Sequence, residues 1–558
     1  MRTGLAAAVL SSIAVLSVQP PERVAIRVDA NVRRGPMTQM WAFYGYDEPN
    51  YTYTPNGKKL LKELAALSPV PVFVRAHNLL TTGDGTAALK WGSTNAYTED
   101  AHGLPIYDWR IVDRILDTYV ERKMKPLVEI GFMPEALSTT PEPYRHHWKP
   151  GMAYSPIFMG WSYPPTSYDK WRDLITRWVE HSVGRYGRHE VESWFWEVWN
   201  EPDIGYWHGT PEEYQKLYDY AADGLKRVLP AARIGGPHVT GPYGPRPQQF
   251  LQNFLEHCLR GTNYATGKTG APLDYVGFHA KGAPRVVDGH VRMGISNQLR
   301  AIANGFRIVS SFPELRDTPI IIGESDPEGC AACGMSTNPE NAYRNGTVYS
   351  SYTAEQLART YELADAYHVN LRGSVTWAFE FEDQPYFAGF RDLATNGIDK
   401  PVLNVFRMLG RMLGDRVAVE SSGGLPLDVV RDTGVRGRPD INALASRTER
   451  TVSILVWNYH DDDVAGPLAD VELLVDGVQG RSAEVTHERV DATHSNAYEA
   501  WKRMGSPPSP TKGQYLQLER AGRLQPFEPS RHLKVEDGRA RLSLTLPRQA
   551  VSLIRVAW

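Results

Sequence analysis

Trp194-Phe195-Trp196-Glu197-Val198-Trp199-Asn200-Glu201-Pro202 is the stretch that decides the fold. It begins as a buried strand does, with bulky apolar side chains that leave little room for water. It ends on a carboxylate, with an amide before it and a proline after it. Proline has no N–H to give to a strand ladder, so pairing stops near Pro202. Glu201 then sits at the carboxyl end of a strand, where α/β barrels keep their chemistry. An acid beside that many rings is seldom an ordinary surface charge.

A strand-then-helix rhythm extends from this stretch in both directions. Upstream, strands are predicted at 41–45, 71–77 and 126–131, with helical patterns at 58–67, 107–121 and 167–186. Downstream, strands at 233–237, 273–279, 319–324 and 373–379 alternate with helices from Thr210 and at 248–259, 298–310, 354–367 and 402–413. The isoleucine run Ile320-Ile321-Ile322 suits a strand buried on both faces. Thr210-Pro211-Glu212-Glu213 is a helix start, with proline at the first position and acids in the first turn. Eight strands alternating with eight helices predict a (β/α)8 TIM barrel over residues 36–415, an α/β fold with several extended loops.

The texture changes after about Val417. Short alternating runs such as 452–457, 471–475 and 542–546 appear between turn residues, without helical periodicity. They predict an accessory C-terminal β-sandwich domain over 416–558. The alternating run Val24 to Ala30, within 20–35, is expected to add a strand to it, because chain ends tend to lie close together. Ser506-Pro507-Pro508-Ser509-Pro510 is expected to be a loop or extended arm leaning on the barrel.

Residues 1–19 have the form of a signal peptide: Arg2, then a mostly apolar run from Leu5 to Val18, shorter than the ~20 residues of a membrane span. Export makes the expected location secreted or periplasmic, with no membrane partner after signal cleavage. A net charge of −3 gives no reason to expect nucleic acid. Oligomeric state is open; a homo-oligomer is compatible with this composition. Cys330 and Cys333 form a Cys-x-x-Cys with no second pair to complete a zinc site, which leaves a local disulfide or two free thiols. Cys258, in a helical pattern, is expected to be a buried thiol. Fifteen Trp and 28 Tyr are numerous enough to offer stacking platforms to sugar rings as well as core.

Two strand ends carry carboxylates followed by loop-like sequence, Glu201 and Glu324. Strands four and seven face each other across a barrel mouth, so these acids can meet. Glycosidic hydrolysis needs such a pair, one carboxyl to protonate the leaving oxygen and one to attack or to activate water. Either acid alone could be a satisfied structural carboxylate; two, in so aromatic a setting, point to chemistry. No His-Glu-x-x-His spacing suggests a metal hydrolase, and no metal or cofactor is expected. A non-catalytic carbohydrate-binding barrel is the reading from another class, opposed by the presence of both acids.

Together, Trp199-Asn200-Glu201-Pro202, Gly323-Glu324-Ser325-Asp326-Pro327 and Phe278-His279-Ala280-Lys281-Gly282 resemble glycoside hydrolase family 39, which holds β-xylosidases and α-L-iduronidases. The resemblance implies a retaining mechanism with Glu201 as acid/base and Glu324 as nucleophile. It implies that Asn200 binds the sugar 2-hydroxyl, that His77 and His279 bind hydroxyls, and that Trp377 is a stacking platform. It also implies that Glu382 and Asp383 grip ring hydroxyls, while Phe132 and Met133 line the wall. Lys281 and Arg391 fall where iduronidase-like members place cations for a uronate carboxylate. They could instead neutralise loop acids, Arg391 pairing Glu382 or Asp383 and Lys281 pairing Asp203 or another loop acid. The expected activity is a retaining exo-β-xylosidase acting on xylo-oligosaccharides or other glycosides, with a uronate-directed glycosidase as the alternative.

Overall fold

The computed structural model describes residues 21–152, 157–330, 332–377 and 379–558. The signal-like segment lies outside them. Eight parallel strands close into a barrel. They are β1 (Phe43–Tyr46), β2 (Phe73–Ala76), β3 (Lys125–Ile130) and β4 (Phe195–Val198). The other four are β5 (Arg233–Val239), β6 (Tyr275–Lys281), β7 (Ile320–Asp326) and β8 (Leu371–Trp377). They follow chain order around the ring, and β8 closes it on β1.

The helices that follow are α1 (Pro55–Ala65), α2 (Arg110–Val120), α3 (Tyr168–Tyr186) and α4 (Pro211–Val228). After them come α5 (Pro245–Arg260), α6 (Ile295–Ser310), α7 (Thr347–Tyr367) and α8 (Pro401–Leu409). The start of α4 shows how local sequence sets these ends. Thr210 Oγ1 accepts from Glu213 N at 3.1 Å, and Glu213 returns a bond to Thr210 N at 2.8 Å. The buried face of α4 then carries Tyr214, Leu217, Tyr218, Ala221 and Leu225. A leucine fully buried in this way contributes roughly 1.5–3 kcal/mol.

Helix α7 departs from the sequence expectation by beginning at Thr347 rather than Ala354. Its early turns are buried on all sides, so they carry no amphipathic signal. The cause is its position between the barrel and the second domain. Ser351 Oγ donates to Gln549 Oε1 at 2.6 Å, and Arg359 bonds both Glu355 (2.7 Å) and Asp440 (2.9 Å).

The second domain is built on a nine-stranded sheet. The strand Glu22–Pro36 lies inside it, antiparallel to Asp415–Ser421 on one side and parallel to Ala469–Asp476 on the other. Its Val24, Ile26, Val28 and Ala30 point into a core shared with Ile454, Val471 and Leu473. Besides the short helix Leu427–Thr433, two further helices interrupt the strands, Ala497–Arg503 and Lys512–Gly522, and none of the three was expected. The latter two, rather than the proline tract between them, lean on the barrel. Phe387 packs on Tyr498 and Trp501 at 5.4 and 5.2 Å, and Tyr515 Oη donates to Asn396 O at 3.1 Å. Helix periodicity fails to reveal them because the first has seven residues and the second buries little beyond Leu518.

Cys330 and Cys333 are disulfide-bonded, and Cys258 is a buried free thiol on α5.

Candidate active site

The C-terminal ends of the strands converge on an ionic cluster centred on Arg75 of β2. Arg75 is fully buried. Its Nε donates to Glu197 Oε1 at 2.6 Å, Nη2 donates to Asn200 Oδ1 at 3.0 Å, and Nη1 donates to Glu324 Oε1 at 3.2 Å. Nη2 also lies 3.2 Å from Glu129 Oε2, and the guanidinium sits 4.8 Å from the Trp377 ring centroid. One side chain thus ties β3, β4, β7 and β8 together. Burial opposes its charge, but Glu197, Glu129 and Glu324 outweigh burial and hold it protonated.

Glu201 is presented by an unusual turn. Trp199 and Glu201 both adopt left-handed backbone, with φ of 71° and 44°. Such conformations cost on the order of 1–3 kcal/mol each in a non-glycine residue and persist only where surroundings impose them. Here Trp199 N bonds Ile130 O (3.2 Å), Glu201 N bonds His238 O (3.1 Å), and the Trp199 indole donates to Tyr206 O (2.9 Å).

The structure brings Glu201, Glu324, His279, Lys281, His77 and Asn200 together. Glu201 Oε1 lies 2.8 Å from His279 Nδ1, which lies 3.7 Å from Glu324 Oε1. One oxygen of Glu201 and one of Glu324 come within 4.8 Å of each other. Glu324 Oε2 accepts from Lys281 Nζ, which also bonds Asp326 Oδ1 at 2.8 Å. Glu201, His279 and Glu324 are spaced as metal ligands could be. However, both Glu324 oxygens already meet cationic side chains, so little uncompensated negative charge is left for a divalent ion.

The two carboxyls are driven apart in acidity. Burial, then the neighbouring charge of Glu324, push Glu201 well above the usual carboxylate range. Burial pushes Glu324 up as well, but Lys281, Arg75 and His77 outweigh it and hold it below its ordinary value. Burial, reinforced by Arg75, keeps His279 neutral. One acid is therefore protonated and its partner ionised at the same pH.

The remaining expected residues lie as follows. His77 spans Asp47 (3.1 Å) and Glu129 (3.2 Å). Asn200 keeps its Nδ2 buried with no hydrogen-bond partner among the described residues. Phe132 and Met133 are buried after β3, with Phe132 5.7 Å from the His77 ring. Trp377 has no accessible surface: its indole donates to Asp47 at 3.1 Å and its ring packs against Gly45, Arg75 and His77. It forms part of the floor, which corrects the expectation of an open stacking face.

Glu382 and Asp383 are not drawn into the cluster. Glu382 accepts from Asn56 N at 3.1 Å, and Asp383 is exposed on the loop after β8. Arg391 is fully buried and pairs with Asp326, not with Glu382 or Asp383, and it also holds the carbonyls of Glu328 and Gly329. Lys281 pairs with another acid, Asp326, and not with Asp203, which accepts from Thr240 N (2.9 Å) and Oγ1 (2.6 Å).

Sequence reasoning missed Arg75, Glu129, Glu197, His238, Asp47 and Glu48. His238 Nε2 lies 2.7 Å from Glu197 Oε2. Burial, with the charge of Asp47 added, pushes Glu48 up to about 8. A signal existed: a single charge stands within the apolar runs of β2 and β4 and within Pro126–Ile130 of β3, and Asp47-Glu48 is a strand-end acid pair before a proline.

The profile of glycosyl hydrolases family 39 matches residues 24–530. The chain belongs to glycosyl hydrolase family 39. As a member of family 39 it is a glycoside hydrolase. It is similar to a β-xylosidase of Geobacillus stearothermophilus, 26% identical over 502 residues, covering 87% of this chain and 86% of that one. It is also similar to the α-L-iduronidase of Mus musculus, 28% identical over 378 residues, covering 62% of this chain and 56% of that one. The barrel-plus-sheet architecture is shared with a solved bacterial orthologue of human α-L-iduronidase. That match has a TM-score of 0.73 at 21% identity, across 96% of this chain and 84% of that one.

Proposed function

We propose that this family 39 enzyme is a retaining exo-β-xylosidase, releasing xylose from the non-reducing ends of xylo-oligosaccharides. The observation that carries the mechanism is the Glu201–Glu324 pair: oxygens within 4.8 Å, one carboxyl held protonated and the other ionised. Retaining enzymes keep their carboxyls about 5–5.5 Å apart, whereas inverting enzymes leave room for a water between them. Glu324 attacks the anomeric carbon while Glu201 passes its proton to the glycosidic oxygen, and the bond to the aglycone breaks. The Glu201 carboxylate then takes a proton from water, whose oxygen displaces Glu324 from the sugar. The buried Asn200 Nδ2, which has no partner among the described residues, is suited to donate to the 2-hydroxyl.

Support for a neutral pentose comes from the two cations. Lys281 is occupied by Glu324 and Asp326, and Arg391 by Asp326 and two carbonyls, so neither charge is left unmatched for a uronate. The second reading, a uronate-directed glycosidase, is favoured by the presence of both cations beside the nucleophile. A panel of aryl xyloside, arabinoside, iduronide and glucuronide with purified protein separates the two: a clear preference for iduronide or glucuronide would overturn the xylosidase assignment. Following the anomer released by NMR tests retention, since an α-xylose first product would exclude double displacement. The disulfide Cys330–Cys333 is in keeping with an oxidising, secreted or periplasmic location.

A further inference from the structure

Glu201 delivers its proton to the leaving group, so the aglycone must lie on the Glu201 side of the pocket. The loop after β5 is tied to that side by hydrogen bonds. Asp203, two residues past Glu201, is buried and accepts both the backbone N and the hydroxyl of Thr240 at 2.9 and 2.6 Å. The loop that carries Glu201 is therefore bonded directly to the loop 240–244.

Gly241 follows with φ +144°, and a Cβ there would stand 2.7 Å from Tyr243 Cε1 and 3.2 Å from the carbonyl oxygen of His279. Only glycine leaves space for the Tyr243 ring to fold back against this turn, which itself rests on the residue that bonds Glu201. Tyr243 N closes the turn on Gly241 O at 2.8 Å. Tyr243 nonetheless remains 48% exposed. Burial of the phenol, and the nearby charges of Glu201 and Asp203, raise its pKa, in keeping with a place beside the acid.

We infer that Tyr243 is the stacking residue of the leaving-group subsite, offering its exposed face to the sugar that departs when Glu201 protonates the bond. This rests on the assignment of Glu201 as the acid given above. It names a specificity residue that acts on the aglycone and not on the glycone.

The test compares two substrates that share a glycone: xylobiose, whose leaving group is a sugar, and β-xylosyl fluoride, whose leaving group has no ring to stack. For Tyr243→Ala, the ratio of kcat/KM on xylobiose to that on the fluoride should fall about three- to tenfold, the range of one aromatic contact. Tyr243→Phe, which keeps the ring and removes the hydroxyl, should hold the parent ratio. An unchanged ratio in Tyr243→Ala would overturn the inference, as would an equal loss on both substrates. If the parent cleaves neither xyloside, it is the glycone assignment that fails. The same ratio, read on the disaccharide and fluoride of the glycone the panel identifies, then decides Tyr243 separately.

Discussion

Glu201 Oε1 stands 2.8 Å from His279 Nδ1, and the imidazole is held neutral in full burial between the two strand-end carboxylates. Glu201 thus has a hydrogen-bond partner that stays uncharged down to well below the ordinary imidazole value. The acidity of Glu201 is left to burial and to Glu324.

A bell-shaped pH profile follows from that arrangement. Activity requires Glu201 protonated, so kcat/KM should fall as pH rises through its raised pKa. It requires Glu324 ionised, so activity should fall at the acid end only below the ordinary carboxylate value. Glu201→Gln should lower kcat/KM on xylobiose by about 10²–10⁴-fold and abolish the alkaline limb on substrates with good leaving groups. An alkaline limb that survives this change would assign it to another group.

Lys281 sets the acid limb. It is foremost among the charges that lower Glu324, and its ammonium bonds the carboxylate directly. Lys281→Met should raise the Glu324 pKa and move the acid limb of kcat/KM to higher pH. An unmoved limb, measured on an aryl xyloside, would show that Arg75 and His77 suffice.

Arg75 is where stability and catalysis meet. Arg75→Met would leave Glu197, ionised and fully buried, without its 2.6 Å partner. Removal of one member of a buried charged pair costs about 3–5 kcal/mol. A fall in Tm of several degrees with loss of activity is expected by calorimetry and assay. A variant as stable as the parent would mean the acids had simply become protonated.

Glu129 allows a stability test in the opposite direction. Burial pushes it well above the usual range, against the pull of Arg75. A raised folded pKa gives a contribution that is full below the ordinary carboxylate value and lost as pH rises through the folded one. Glu129→Gln should therefore lose less Tm than the parent as pH rises from the ordinary carboxylate value through the raised one. Parallel curves for the two proteins would remove Glu129 from the titrating set.

The barrel was legible because each strand-helix unit repeats one pattern: an apolar run, a loop, and a one-faced helix. Glu201 and Glu324 were legible because both close such runs. Arg75, Glu129 and Glu197 were hidden for the opposite reason. They lie inside strands, where apolar neighbours on either side draw attention away from the single inward charge. Trp377 was misjudged because a ring at a strand end can face the ligand or lie beneath it, and only packing against Gly45 and Arg75 decides which. The cations Lys281 and Arg391 were placed near the pocket, but their shared partner Asp326 could not be read from spacing. Helix α7 and the second-domain helices Ala497–Arg503 and Lys512–Gly522 lay beyond amphipathic analysis, the first buried too completely and the others too little.

The strand Glu22–Pro36 has one further consequence, for the order of assembly. Its neighbours Asp415–Ser421 and Ala469–Asp476 are translated only after the whole barrel. At ~5–20 residues per second, this alternating apolar edge waits tens of seconds before its partner strands exist. During that wait the segment is open to chaperones and to self-association, so low yield of a variant with an intact barrel should be traced first to these early residues.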